Sequence, residues 1–219
     1  MVDKQNIRGR ESIIVRGGDI IENGAYLREG TSDTYLYNDP FLKECCDESI
    51  KRINKDSTVV DLGAHINLFS MRVSPYCKKV YAYEALKENY IQGLKNIRDN
   101  IEFFNVAVWT TNGRTPYTGD ANVIRFGEGE KTMETITLEE IMKDKVCDLL
   151  KVDIEGCEYE VLLSAPKRVF EKIKSIYVEL HPHIVPNRNR ELIKWLEDNN
   201  YKVATKKIFG WEVLIADKL

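Results

Sequence analysis

The 219-residue chain contains no run of apolar residues long enough to cross a bilayer, and its first segment, MVDKQNIRGR, has no apolar signal core. The cytoplasm is therefore the expected compartment. The chain also lacks the paired C-x-x-C spacing of a zinc site. Its five cysteines are odd in number, and Cys45 and Cys46 are adjacent, which suits neither a structural disulfide nor a metal clamp. Reduced thiols packed as small apolar groups are the expected state. An excess of one charge is missing too. The net charge is −3 with 31% charged residues, so nothing global favours nucleic acid or an anionic membrane, and Lys206-Lys207 reads as a solvated face. No G-x-x-x-x-G-K-[ST] and no G-x-G-x-x-G occurs, which removes P-loop chemistry and leaves a pyrophosphate cradle poorly supported. There are no repeats, low-complexity tracts or internal linkers, so one domain is expected.

Within that domain the pattern changes near Ser57. Residues 1–57 read as a small strand-and-helix cap. ESIIVRGGDIIENGAYLREG alternates short apolar runs with Gly-Gly and Asn-Gly, a hairpin signal. PFLKECCDESIKRI places Leu42, Cys45, Cys46, Ile50 and Ile53 at helical spacing.

Residues 58–219 alternate strands with helices, which predicts an α/β fold with a mostly parallel sheet covered on both faces. The strands are STVVDLG, KKVYAYEA, IEFFNVAVW, CDLLKVDIEG and IKSIYVELHPH, followed by a pair within YKVATKKIFGWEVLIADK joined through Phe209-Gly210. The helices are NLFSMRVSPYC, closed by Pro75, then KENYIQGLKNIRDN, TLEEIMKD with a Thr cap, CEYEVLLSA, stopped by Pro166, and NRNRELIKWLEDNN. In the second of these, Ile91, Leu94 and Ile97 share one face. The segment from Thr110 to Ile136 reads as irregular, holding a short hairpin or a lid. The terminal pair resembles the reversed hairpin, with its antiparallel strand, that finishes the Rossmann-like sheet of class I methyltransferases.

In such a sheet ligands bind beyond the carboxyl ends of the strands. Those ends carry Asp61, Gly63 and His65, then Glu84, then Asp153 and Glu155, then Glu179, His181 and His183, so all three histidines lie at one edge. Glu84 stands twenty-one positions after Gly63, a spacing at which an acid accepts both ribose hydroxyls of an adenosine cofactor. A single close-approach glycine with a ribose acid suits S-adenosylmethionine, which has no phosphate to hold. Its methionine carboxylate is expected to use backbone N–H groups at the following helix N-terminus. KVDIEG sends Lys151, Asp153 and Glu155 to one side if the strand runs true. A mutually paired charge cluster, and a divalent ion held by Asp153, Glu155 and His181, are further readings of the same residues; no metal is assigned.

VVDLGAHINLFS, VYAYEALKENYIQGLKNI, LLKVDIEGCEYEVL and YVELHP together resemble the FkbM-type methyltransferases, and REGTSDTYLY (Arg28 to Tyr37) resembles the segment before their first motif. The resemblance runs from about Tyr26 to the C-terminus. It implies an S-adenosylmethionine-dependent enzyme that methylates a hydroxyl, commonly of a sugar, glycolipid or polyketide. Carried over, Asp61, Gly63, Ala64 and His65 form the cofactor loop with Asn67. Glu84 binds the ribose with Ala85 beside it, and Val106 and Ala107 border the adenine. Asp153 and Glu155 face the donor and acceptor, and Asp33 reaches toward the same edge. The chain departs from the family pattern at His65, Asn67, Ala85 and Lys87. Asn tolerates the left-handed backbone conformation, but the Asn67 side chain could crowd the methionine moiety.

A hydroxyl acceptor must lose its proton as the methyl bond forms, and a base with a pKa near neutrality suits that task. His181 is the first candidate, with Asp153 and Glu155 beside it. The expected acceptor is a small molecule or glycan. Nucleic acid is a weaker alternative, and a non-catalytic binding or scaffolding protein is the rival class. The sequence leaves oligomeric state open.

Overall fold

The computed structural model describes residues 3–7, 10–15, 19–119 and 124–219. It opens with an antiparallel meander of β1 (Asp3–Ile7), β2 (Arg10–Val15), β3 (Asp19–Glu22) and β4 (Ala25–Arg28). Asn23 and Gly24 join β3 to β4 with φ of 48° and 80°, the two left-handed positions a tight hairpin turn requires. Helices α1 (Asp33–Asn38) and α2 (Pro40–Ile50) follow. Asp39 caps α2 by accepting from Phe41 N at 2.9 Å, and Pro40 fills its first turn. Cys45 and Cys46 are buried, with Leu42, Ile50 and Ile53 packed around them, as the helical spacing predicts.

The second part runs β5 (Thr58–Leu62), α3 (Leu68–Val73), β6 (Lys79–Glu84), α4 (Lys87–Gly93) and β7 (Ile101–Asn105). Four short strands come next: β8 (Ala107–Val108), β9 (Gly113–Gly119), β10 (Ile124–Phe126) and β11 (Lys131–Ile136). Then come α5 (Leu138–Met142), β12 (Cys147–Val152), α6 (Glu158–Ser164), α7 (Lys167–Phe170), β13 (Ile173–Leu180), α8 (Asn189–Asp198), β14 (Tyr201–Ile208) and β15 (Trp211–Lys218).

The main sheet has the order β14-β15-β13-β12-β5-β6-β7. Its pairings are parallel except those of β15 with β13 and β14, so the antiparallel strand is where the C-terminal hairpin predicts it. Alternate residues feed opposite faces. Val60 and Leu150 enter one apolar layer with Tyr159 and Phe170, while Val59 and Leu149 enter the other with Phe69 and Tyr177. Both faces are therefore covered, and both strand neighbours need to be apolar.

Two expectations change. Within Thr110–Ile136 the expected hairpin is present, and the described residues are more regular than expected, because β9, β10 and β11 join β8 in a sheet of order β10-β9-β11-β8. The helix after β6 is short and breaks into a 3-10 turn at Leu94–Asn96. Its apolar residues Ile91, Leu94 and Ile97 are exposed, and Gln92, Gly93 and Asn96 are buried instead. Tertiary contacts turn the helix. A Cβ on Gly93 would stand 2.5 Å from the Phe103 ring. Gln92 Nε2 donates to Asp19 Oδ1 and Tyr26 O, both at 3.0 Å. The polar face of α4 thus anchors the N-terminal hairpin.

All five cysteines are unpaired and buried. Among the described residues no helix is long and apolar enough to cross a membrane.

Candidate active site

The loop after β5 is shaped by a backbone crossing. Gly63 has φ of 81°, and a Cβ there would lie 1.7 Å from the carbonyl oxygen of Asp153. No other side chain fits, because β12 ends against this turn. Gly63 N and Ala64 N both donate to Tyr83 O, at 3.0 and 2.9 Å. His65 N donates to Glu84 Oε2 at 2.9 Å, and Asn67 N to Ala64 O at 2.7 Å. The first three of these N–H groups hold the loop to the end of β6, and the fourth closes a turn within the loop. These four are not free for a methionine carboxylate; Leu68 and Phe69, which open the following helix, line the cavity.

His65 and Asn67 take left-handed φ of 51° and 72°. Asn67 keeps the turn a glycine would make, and its side chain is fully buried away from the cavity wall, with neither amide atom partnered among the described residues. Asp61 is also buried behind the wall. Its Oδ2 accepts from Ser70 Oγ at 2.7 Å and its Oδ1 from Lys151 Nζ at 3.2 Å. Crowding by Asn67 is therefore absent from this arrangement.

Beyond the loop lies a cavity of about 580 Å³ at the carboxyl ends of β5, β6, β12 and β13. Gly63, Ala64, His65, Glu84, Asp153, Glu155 and His181 all line it. One end is apolar, walled by Ala85, Val106, Ala107, Val108, Ile124 and Phe126, with Glu84 at its margin. Glu84 is 7% exposed. Burial pushes its carboxyl up, against hydrogen bonds from Leu86 N, His65 N and Asn89. Arg28 enters the cavity from the cap, fixed through Nε and Nη2 to Asp33 and through Nη2 to Asn89. Asp33 does not reach the cavity itself; it is fully buried and holds Arg28.

The other end carries the charges. Lys151 Nζ sits between Asp61 Oδ1 and Asp153 Oδ2, each at 3.2 Å. Burial alone would lower its pKa, but the two carboxylates outweigh burial and raise it. Glu155 has φ of 53° and is followed by Gly156 at 96°. A Cβ on Gly156 would meet Ile184 Cγ2 at 2.7 Å, so this turn is also fixed by packing. Glu158 Oε1 accepts from Ile154 N at 3.1 Å and Gly156 N at 3.2 Å, and it faces His181 Nδ1 at 2.9 Å. The same residue therefore shapes the turn and orients the imidazole.

His181 is 2% exposed, and its Nε2 faces Glu155 at 3.5 Å, Glu179 at 3.8 Å and Asp153 at 4.0 Å. Burial opposes charge on this ring, but the Glu158 hydrogen bond and the surrounding carboxylates outweigh it and bring the pKa to about 9. The surrounding carboxylates therefore favour the protonated ring. Glu155 is pushed up to about 7 by burial and by Asp153, and its side chain remains half-exposed. His65 sits 4.0 Å from Asp33, and burial lowers its pKa. All three histidines line the one cavity, as their clustering at the strand ends predicts.

Four contributors had no assigned role at the level of sequence. Glu158 was hidden in a helix, although its place two residues beyond Gly156 was a signal. Glu179 was noted only as a strand-end acid. Arg28 and Trp211, both on the cavity wall, reach it from segments distant in the chain; Arg28 opens the segment REGTSDTYLY without an assigned role, and Trp211 carried no local mark.

A family model of the methyltransferase FkbM domain matches residues 61–203. No curated protein matches the chain. Among solved structures the chain is similar to the methyltransferase FkbM from Methylobacillus flagellatus, at 16% identity and TM-score 0.57, over 76% of this chain and 44% of that one. It is also similar to a putative methyltransferase from Streptococcus mutans solved with SAH, at 13% identity and TM-score 0.54, over 81% of this chain and 97% of that one. An rRNA methylase from Streptococcus thermophilus follows, at 10% identity and TM-score 0.53, over 80% and 95%. At these identities the structures establish a shared Rossmann-like methyltransferase fold. The family match spans more than half of the chain, and the protein accordingly belongs to the FkbM family of S-adenosylmethionine-dependent methyltransferases.

Proposed function

We propose that the protein methylates a hydroxyl of a sugar, glycolipid or other small molecule. The observation that carries this reading is a single cavity lined both by apolar residues with a buried acid and by a carboxylate–histidine cluster. The first suits an adenosine: Ala85, Val106 and Ala107 border the base, and Glu84 accepts the ribose hydroxyls while its own loop bonds hold it still. S-adenosylmethionine supplies a methyl group on a sulfonium, and alignment is the main help such a transfer needs. Asp61 and Asn67 support the loop from behind. Arg28, whose Nη1 carries none of the bonds to Asp33 and Asn89, is the cation left to meet the methionine carboxylate.

At the charged end, Glu155 is the group we propose to take the acceptor proton. It is the half-exposed carboxylate of the cluster. His181 holds it in place through its charge, with its own ring fixed by the bond to Glu158, while Asp153 raises its proton affinity. This differs from a histidine base, because a ring already protonated at Nε2 has no lone pair to offer.

The test is turnover. The full chain, S-adenosylmethionine and a panel of hydroxylated glycans, glycolipids and small alcohols should give products one methyl group heavier by mass spectrometry. Glu155→Gln should lower the rate roughly 100-fold or more while leaving S-adenosylhomocysteine affinity unchanged. An unchanged rate would remove Glu155 from the role. Methyl incorporation into RNA but into none of the hydroxyl panel would favour an RNA acceptor. The carboxylates at the cavity end speak against that, since they repel a phosphate backbone. Buried, unpaired cysteines fit the reducing cytoplasm as the place of action.

A further inference from the structure

Five carboxylates, on Asp61, Asp153, Glu155, Glu158 and Glu179, converge on two cationic side chains, Lys151 and His181. Burial makes such an excess of negative charge costly unless a proton or a cation compensates it, and burial together with Asp153 pushes the Glu179 carboxyl up to about 9. Glu179 is the residue that nothing at the site accounts for. It is 8% exposed, lines the cavity and accepts no hydrogen bond among the described residues. Its nearest charged partner, His181 Nε2, is 3.8 Å away.

We infer that Asp153, Glu179 and His181 form a binding site for a divalent metal cation at the charged end of the cavity. The ligand atoms of the three residues lie within 4.8 Å of one another, and a cation binding there would displace the Nε2 proton of the imidazolium. Asp153 gives Oδ2 to Lys151 and turns Oδ1 toward His181 Nε2. The carboxylates stand 3.5 to 4.0 Å from Nε2, outside good hydrogen-bonding distance. That spacing is close to the roughly 3.0 to 3.6 Å between neighbouring ligands around a cation with bond lengths of about 2.1 to 2.5 Å. A contraction of a few tenths of an ångström brings the two carboxylates and Nε2 to ligand spacing.

The imidazole is prepared for ligation. Nδ1 bonds to Glu158 Oε1 at 2.9 Å, which fixes the proton on Nδ1 and leaves Nε2 as the donor, the usual carboxylate–histidine–metal arrangement. Two carboxylates with one imidazole suit a divalent transition-metal ion such as manganese, and the imidazole speaks against magnesium. The existence of the site stands on this geometry alone. Its use rests on the hydroxyl-methylation reading, in which the ion would bind the acceptor oxygen and ease loss of its proton.

Mn²⁺ added to the chelator-stripped full chain and followed by electron paramagnetic resonance tests the site without turnover. One Mn²⁺ should bind per chain, with nitrogen coupling from an imidazole. Glu179→Gln and His181→Gln should each weaken binding roughly 10-fold or more, with thermal melting showing that each variant still folds. Absence of saturable binding up to about 1 mM overturns the site. So does binding that both variants retain, or binding without nitrogen coupling. A donor sulfonium is the competing source of positive charge. Tighter binding of S-adenosylmethionine than of S-adenosylhomocysteine, with no Mn²⁺ bound, would assign the cluster to it and overturn the metal. S-adenosylhomocysteine binding is measured on the same samples, so loss of the metal site and loss of the methyltransferase reading give different results.

Discussion

Gly63 and Asp33 show how single residues hold the cavity open. Gly63 combines a left-handed φ with a Cβ position 1.7 Å from a carbonyl oxygen. Gly63→Ala should therefore destabilise the protein by about 2 kcal/mol or more, read from urea unfolding, with β5 and β12 forced apart. Asp33 is buried against Arg28. Burial would raise its pKa, but the Arg28 hydrogen bonds and charge outweigh burial and lower it. The folded pKa lies below the unfolded value of about 3.9, so its stabilisation is complete above that pH and is lost as pH falls through the folded value. Asp33→Asn should cost about 1 to 3 kcal/mol near pH 6, and its deficit relative to the parent should shrink below about pH 4. A deficit that does not change with pH would contradict the pairing.

The elements of the fold differ in how much of them a reader of the chain can see. β5 and its turn are plain in VVDLG because a strand buried on both faces must be apolar, and the acid and glycine after it break that pattern. Glu84 is equally visible, since strand length fixes its distance from Gly63. The orientation of α4 is not visible. Its apolar residues promise a buried face, yet Asn96 is the residue that goes inside. Asn96 Nδ2 donates to Ile66 O at 2.8 Å and Tyr26 O at 3.1 Å, and Oδ1 accepts from Tyr26 N at 2.7 Å. These partners lie in β4 and in the loop after β5, so no local period announces them. Asn96→Ala should cost about 1 to 3 kcal/mol by orphaning those groups, and limited proteolysis should cut the β3–β4 hairpin faster. The charged end was legible in part. Asp153, Glu155 and His181 follow from strand ends, whereas the pairing of Glu158 with His181 depends on how α6 meets β13.

At the scale of the whole molecule, the parallel sheet brings four strand ends to one edge, and the cap and the β8–β11 sheet wall off the space above them. This arrangement produces a nucleoside-sized apolar slot next to a charged reaction end. The departure at Asn67 leaves the slot intact, because the left-handed turn survives and the side chain is buried elsewhere. The central claim is that this slot holds the adenosine of the methyl donor with Glu84 on its ribose. Isothermal titration of S-adenosylhomocysteine into the full chain and into Glu84→Ala tests it most directly. The account predicts saturable one-site binding to the parent, weakened roughly 10-fold or more in the variant as charge-assisted hydrogen bonds are lost. No binding to the parent, or equal binding to both, would contradict it.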